Sequence, residues 1–125
     1  MKLAHTCLRV MNLEKSIEFY EKYMGLVVDR INDYPEGKFS LAFLTDKNKN
    51  YEIELTYNYN PDKPYVIGTG FSHIALCSDD LDASYQFHKD NNLEVSDIKR
   101  VSEKENRFYF VTDPDGYLVE IIEKI

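Results

Sequence analysis

The stretch Gly116-Tyr117-Leu118-Val119-Glu120-Ile121-Ile122 sets one carboxylate inside an otherwise apolar run. Leu118, Val119, Ile121 and Ile122 have the branched bulk of a strand packed on a core. A glutamate left charged and unpartnered among them would cost on the order of several kcal/mol. Taken alone, Glu120 therefore reads as a residue that simply faces water, because acidic side chains are rarely buried unless paired. A second stretch, Tyr51-Glu52-Ile53-Glu54-Leu55, repeats the arrangement and gives Glu120 a counterpart.

Working outward from these two strands, the whole chain reads as two similar halves. Residues 3–10 form a strand, and Asn12 caps a helix whose apolar positions Leu13, Ile17, Tyr20 and Met24 recur at helical spacing up to Gly25. Strands follow at 26–32, 38–45 and 51–58, separated by turn-forming clusters. After a proline-bearing connector at 59–69 the order returns: a strand at 70–77, a helix at 81–91, and strands at 94–101, 106–112 and 117–124. A shift of 68 carries His5 to His73, Leu13 to Leu81, Ser16 to Ser84 and Phe19 to Phe87, and a shift of 66 carries Tyr51 to Tyr117 and Glu54 to Glu120. Each half is strand, helix, three strands. The expectation is one α+β domain over 1–125, built from a βαβββ module at 1–58 and another at 70–125.

Composition narrows the function. The net charge of −7, from 22 acidic and 15 basic residues, argues against a nucleic-acid partner, whose affinity comes from lysine and arginine neutralising phosphates. No apolar run approaches the ~20 residues that span a bilayer, and the N-terminus alternates rather than forming a signal-peptide block. A cytoplasmic protein with no membrane partner is expected. Cys7 and Cys77 make no CxxC pair and read as small packing residues.

Strand alternation gathers the polar candidates. His5, Cys7 and Arg9 share one face of the first strand, and Glu52, Glu54, Thr56 and Asn58 one face of the fourth. If the first and last strands of a module are neighbours, each module presents one His and one Glu, and two modules together present a His2Glu2 set. That donor set suits nickel, zinc, cobalt or manganese, and its carboxylates compensate a dication. His88 reads as an exposed helix residue without a role.

HTCLRV at 5–10, LEKSIEFYEKYMGL at 13–26, IELTYN at 53–58, GFSHIAL at 70–76 and DPDGYLVEII at 113–122 resemble the glyoxalase I (lactoylglutathione lyase) family of the vicinal-oxygen-chelate superfamily. The resemblance covers nearly the whole chain and implies paired βαβββ modules forming mixed, curved sheets with helices outside. It implies His5, Glu54, His73 and Glu120 as ligands of one divalent metal per site, nickel or zinc, with cobalt or manganese as alternatives. It further implies a lyase that isomerises the hemithioacetal of methylglyoxal and glutathione to S-lactoylglutathione through a metal-stabilised enediolate. Glu120 is then the principal base and Glu54 the second carboxylate.

Arg9 and Asn58 match the positions that hold the glutamyl carboxylate of glutathione. The 99–107 stretch, KRVSEKENR, departs from the family pattern in having no glycine, although Lys99, Arg100, Lys104 and Arg107 keep it basic; Lys104 is the expected contact to the glycyl carboxylate. Compact relatives imply a homodimer with shared sites at its interface. The competing expectation is a thiol transferase or small-molecule binding and resistance protein of the same fold, without isomerase activity.

Overall fold

Two mixed sheets, each backed by one helical segment, make up the protein, seen here as a computed structural model that describes residues 1–124. The chain divides into two compact units, Met1–Val66 and Ile67–Ile125. The first contains β1 (His5–Arg9), α1 (Leu13–Glu18), β2 (Val27–Tyr34), β3 (Phe39–Thr45) and β4 (Glu52–Asn58). The second contains β5 (His73–Ser78), α2 (Leu81–Asp90), β6 (Phe108–Thr112) and β7 (Leu118–Glu123). Among the described residues, no helix is long and apolar enough to cross a membrane.

In the first unit the strand order is β1-β4-β3-β2, and in the second β5-β7-β6. The first and last strands of each unit are thus neighbours, paired in parallel, while the other pairs are antiparallel. Parallel pairing needs a crossover, and the helix supplies it in both units. Asn12 caps α1 by accepting the Lys15 N–H at 3.0 Å, and Asp80 caps α2 by accepting the Ala83 N–H at 3.1 Å. The first crossover ends in a π-helical turn, Phe19–Tyr23, which buries the adjacent Phe19 and Tyr20. Gly25, at φ +71°, then releases the chain into β2.

One face of each sheet forms the core against its helix. Leu8, Val10, Ile53 and Leu55 are buried in the first unit, and Tyr109, Val111, Val119 and Ile121 in the second. His88 belongs to this core rather than to solvent, contrary to the sequence reading: it is buried, and its Nδ1 lies 2.8 Å from the Tyr109 hydroxyl. The reason is helical period. His88 stands two turns beyond the buried Leu81, on the same stripe.

The 94–101 segment also departs from expectation. It runs beside β6, but only through isolated bridges at Val95↔Val111 and Lys99↔Phe108. Between the bridges five residues, 95–99, run beside four on β6, 108–111, so the ladder slips by one. Ser96 holds the slip: its N–H donates to the Phe110 carbonyl at 2.9 Å and its Oγ accepts the Phe110 N–H at 2.9 Å.

Candidate functional site

The face of each sheet opposite the core carries one histidine and one glutamate in contact. His5 Nε2 lies 2.7 Å from Glu54 Oε2, and His73 Nε2 lies 2.7 Å from Glu120 Oε2. The two contacts are made the same way. His5 is registered with Glu52 and His73 with Leu118, yet each imidazole reaches the residue two further along the neighbouring strand. This diagonal joins side chains on one face of a parallel pair. Glu120 therefore lies in an apolar strand without entering the core, since Val119 and Ile121 point the other way and are buried. Side-chain exposures of 14% for Glu54 and 16% for Glu120, against 41% and 32% for His5 and His73, put each carboxylate beneath its imidazole on an open face.

An aromatic ring completes each pair. Phe43 is registered opposite Glu54 and its ring meets His5 edge-on, with centroids 5.7 Å apart. Phe110 is registered opposite Glu120 and meets His73 edge-on at 5.3 Å. The repeated element is thus His, Glu and Phe, and the phenylalanines escape a search confined to metal-ligating residue types.

Arg30 is a second residue that sequence reasoning missed. Val28 pairs with the buried Leu44, so simple alternation would place Arg30 toward the core as well. A bulge at Asp29 reverses the parity and sets Arg30 opposite Phe43, on the open face. Its guanidinium lies 3.9 Å from the Phe43 ring centroid, a cation–π contact, and donates to Glu52 Oε2 at 2.8 Å and Asp29 Oδ2 at 2.7 Å. Hydrogen bonds to these two carboxylates raise the pKa of Arg30. The signal in the sequence was an arginine at a position whose parity belonged to the core.

The other expected site residues fall as follows. Arg9 is registered with Thr56, so Asn58 stands to it on the same diagonal that joins His5 to Glu54. Asn58 Nδ2 donates to the Tyr65 hydroxyl at 3.4 Å. Lys104 is exposed in a turn closed by the Glu105 N–H donating to the Ser102 carbonyl. Arg107 does not serve as a basic loop residue: it is held by Glu123 and Asp82. Cys7 and Cys77 are exposed on the open faces rather than packed inside. Among the described residues, no three His, Cys, Asp or Glu side chains cluster.

Comparison with known proteins identifies the family of the chain. Residues 2–121 match the model of the Glyoxalase/Bleomycin resistance protein/Dioxygenase superfamily. Over 127 aligned residues the chain is 39% identical to a lactoylglutathione lyase of Neisseria meningitidis, covering 99% of this chain and 91% of that one. Glyoxalase I from Zea mays superposes with a TM-score of 0.89 at 34% identity, over 98% of this chain and 44% of the maize chain, so the protein spans less than half of that relative. A trypanothione-dependent glyoxalase I of Leishmania major superposes with a TM-score of 0.84 at 30% identity, covering 98% of this chain and 86% of that one. This chain belongs to the glyoxalase/bleomycin resistance protein/dioxygenase superfamily, and within it to the glyoxalase I (lactoylglutathione lyase) family.

Proposed function

We propose that the chain is a metal-dependent glyoxalase I, a carbon–sulfur lyase that isomerises the hemithioacetal of methylglyoxal and glutathione to S-lactoylglutathione. The observation that carries the reading is the recurrence of one His–Glu contact, 2.7 Å long and made on the same diagonal, in both units. Two imidazoles and two carboxylates fit a borderline divalent cation, nickel or zinc first, with cobalt or manganese also suited. His5, Glu54, His73 and Glu120 would hold it. When bound, the cation supplies Lewis-acid stabilisation of negative charge on the two vicinal oxygens of the substrate.

The remaining chemistry falls to side chains. Glu120 takes the proton from C1, the carbon that bears sulfur, and the released electron pair forms the C1–C2 double bond while the carbonyl oxygen takes the charge. Glu120 then returns a proton to C2, and the C1 hydroxyl proton passes to the C2 oxygen, leaving a thioester with no net oxidation. Glu54 is the matching second carboxylate. Arg9 and Asn58 hold the glutamyl carboxylate of the thiol, and Lys104 reaches its glycyl carboxylate.

The working form is a symmetric homodimer, each site combining the His5–Glu54 pair of one chain with the His73–Glu120 pair of its partner. Supporting this, each unit offers two ligands of a set of four. The exposed thiols Cys7 and Cys77 suit the reducing cytoplasm. The test follows thioester absorbance from methylglyoxal and glutathione, using cation-free protein reloaded with nickel, cobalt or zinc. Thioester formation is expected. Its absence with every metal, once binding of the metal is verified, overturns the isomerase; activity with trypanothione but not glutathione changes the thiol alone.

A further inference from the structure

Each His–Glu pair touches one hydroxyl, and the two units place it on opposite members. In the first unit Thr56 Oγ1 donates to Glu54 Oε1 at 3.2 Å, leaving Oε2 to His5. In the second, Ser72 Oγ lies 2.7 Å from His73 Nδ1, leaving Nε2 to Glu120. Neither arrangement is carried by the repeat. The position matching Thr56 is Ile122 and the one matching Ser72 is Ala4, and neither side chain has a hydroxyl.

We propose that Ser72 is the positioning residue of His73, holding its imidazole so that Nε2 is the atom presented to a divalent cation. The inference rests on the reading of His73 as a metal ligand. A neutral imidazole carries one N–H, and a nitrogen that gives its lone pair to a cation obliges the proton to sit on the other nitrogen. That second N–H needs an acceptor, and Ser72 Oγ stands where Nδ1 requires one.

A hydroxyl suits the position better than a carbonyl would, because it both donates and accepts. While Nε2–H is given to Glu120, the Ser72 O–H donates to Nδ1. Once Nε2 is committed to a cation, Nδ1–H donates to Ser72 Oγ. The ring keeps its place through the change of tautomer because Ser72 holds Nδ1 in both forms, beside the Phe110 edge contact, while Nε2 passes from Glu120 to the cation. Backbone placement permits this. Ser72 lies one residue before β5, outside the strict alternation that would send it to the opposite face from His73.

The experiment compares wild type, Ser72→Ala, Ser72→Gly and Ser72→Thr, prepared free of cation and titrated with zinc against a chromophoric chelator. Loss of the hydroxyl in Ser72→Ala and Ser72→Gly is expected to weaken zinc binding by about 10–100-fold, and Ser72→Thr to recover most of it. Nitrogen-15 NMR of the zinc-loaded wild type should show His73 as the Nδ1–H tautomer. Thermal unfolding of the cation-free variants should match wild type, because Ser72 is exposed. Zinc affinity within about twofold of wild type in both variants lacking the hydroxyl overturns the proposal, as does an Nε2–H tautomer for loaded His73. A wild type that binds no zinc, nickel or cobalt overturns the metal site itself and this inference with it. Normal binding in wild type and in the variants removes only the role of Ser72.

Discussion

Arg107 grips Glu123 with both its backbone and its side chain. The Arg107 N–H donates to Glu123 Oε2 at 3.2 Å, while Nη2 and Nε donate to Oε1 at 2.7 Å and 3.2 Å. The same guanidinium forms a two-pronged contact with Asp82 on α2, at 3.0 Å and 3.1 Å. One side chain thus ties the end of β7 to the first turn of the helix.

This clamp makes stability depend on pH. Hydrogen bonds from Arg107 lower the folded pKa of both Glu123 and Asp82. A carboxylate whose folded pKa lies below its unfolded value stabilises fully above the unfolded value, and that stability is lost as pH falls through the folded value. Arg107→Gln should therefore melt below wild type at neutral pH, and the gap should narrow on acidification from about pH 5 to about pH 2. Melting curves across that range decide it; a gap independent of pH would show that Arg107 acts by packing alone.

Tyr109→Phe removes the hydroxyl that meets His88 Nδ1 in the core of the second unit. Burial holds the Tyr109 hydroxyl well above the ordinary phenol range, so it remains a neutral hydrogen-bonding group at working pH. Its loss should cost about 1–3 kcal/mol, read as a lower urea midpoint with an unchanged m-value. An unchanged midpoint would mean that the contact contributes nothing net.

Two substitutions separate chemistry from binding. Glu120→Gln should lose on the order of 10²-fold or more in kcat and bind metal more weakly, because an amide is neither base nor anionic ligand. Arg9→Ala should instead raise KM far more than it lowers kcat, as expected when a uniform binding contact is removed. Near-normal turnover and metal content in Glu120→Gln would move the proton transfer elsewhere.

Shared sites predict complementation. A His5→Ala, Glu54→Ala chain mixed with a His73→Ala, Glu120→Ala chain should regain one intact site per mixed dimer. Verified heterodimers that stay inactive, beside an active wild type, would place each site within a single chain.

What the sequence made legible follows from periodicity. The pairing of His5 with Glu54 and of His73 with Glu120 could be read because strand parity and the repeat agreed, and the parallel neighbours supplied the diagonal. Where local geometry broke the period, legibility ended. The bulge at Asp29 turned Arg30 onto the open face, and the slip around Ser96 reduced 94–101 to two bridges. His88 escapes for another reason: a histidine reads as a surface residue by type, while its position two turns beyond Leu81 puts it on the buried stripe. The hydroxyl of Ser72 was unreadable, since nothing in a strand pattern orients the residue just before the strand begins.

Those two irregularities also bear on uncontrolled strand pairing at two of the sheet margins. β2 is one outer strand of the four-stranded sheet, β1 being the other, and the 94–101 segment flanks β6 at one margin of the three-stranded sheet, opposite β5. A straight outer strand exposes an evenly spaced row of N–H and C=O groups that any extended peptide can join. Here both margins are interrupted by one extra residue, and Ser96 spends its own hydroxyl on the backbone of β6. Neither of these two margins offers an unbroken template, so the kinks that hid Arg30 and Ser96 from strand parity also blunt sheet extension along β2 and beside β6.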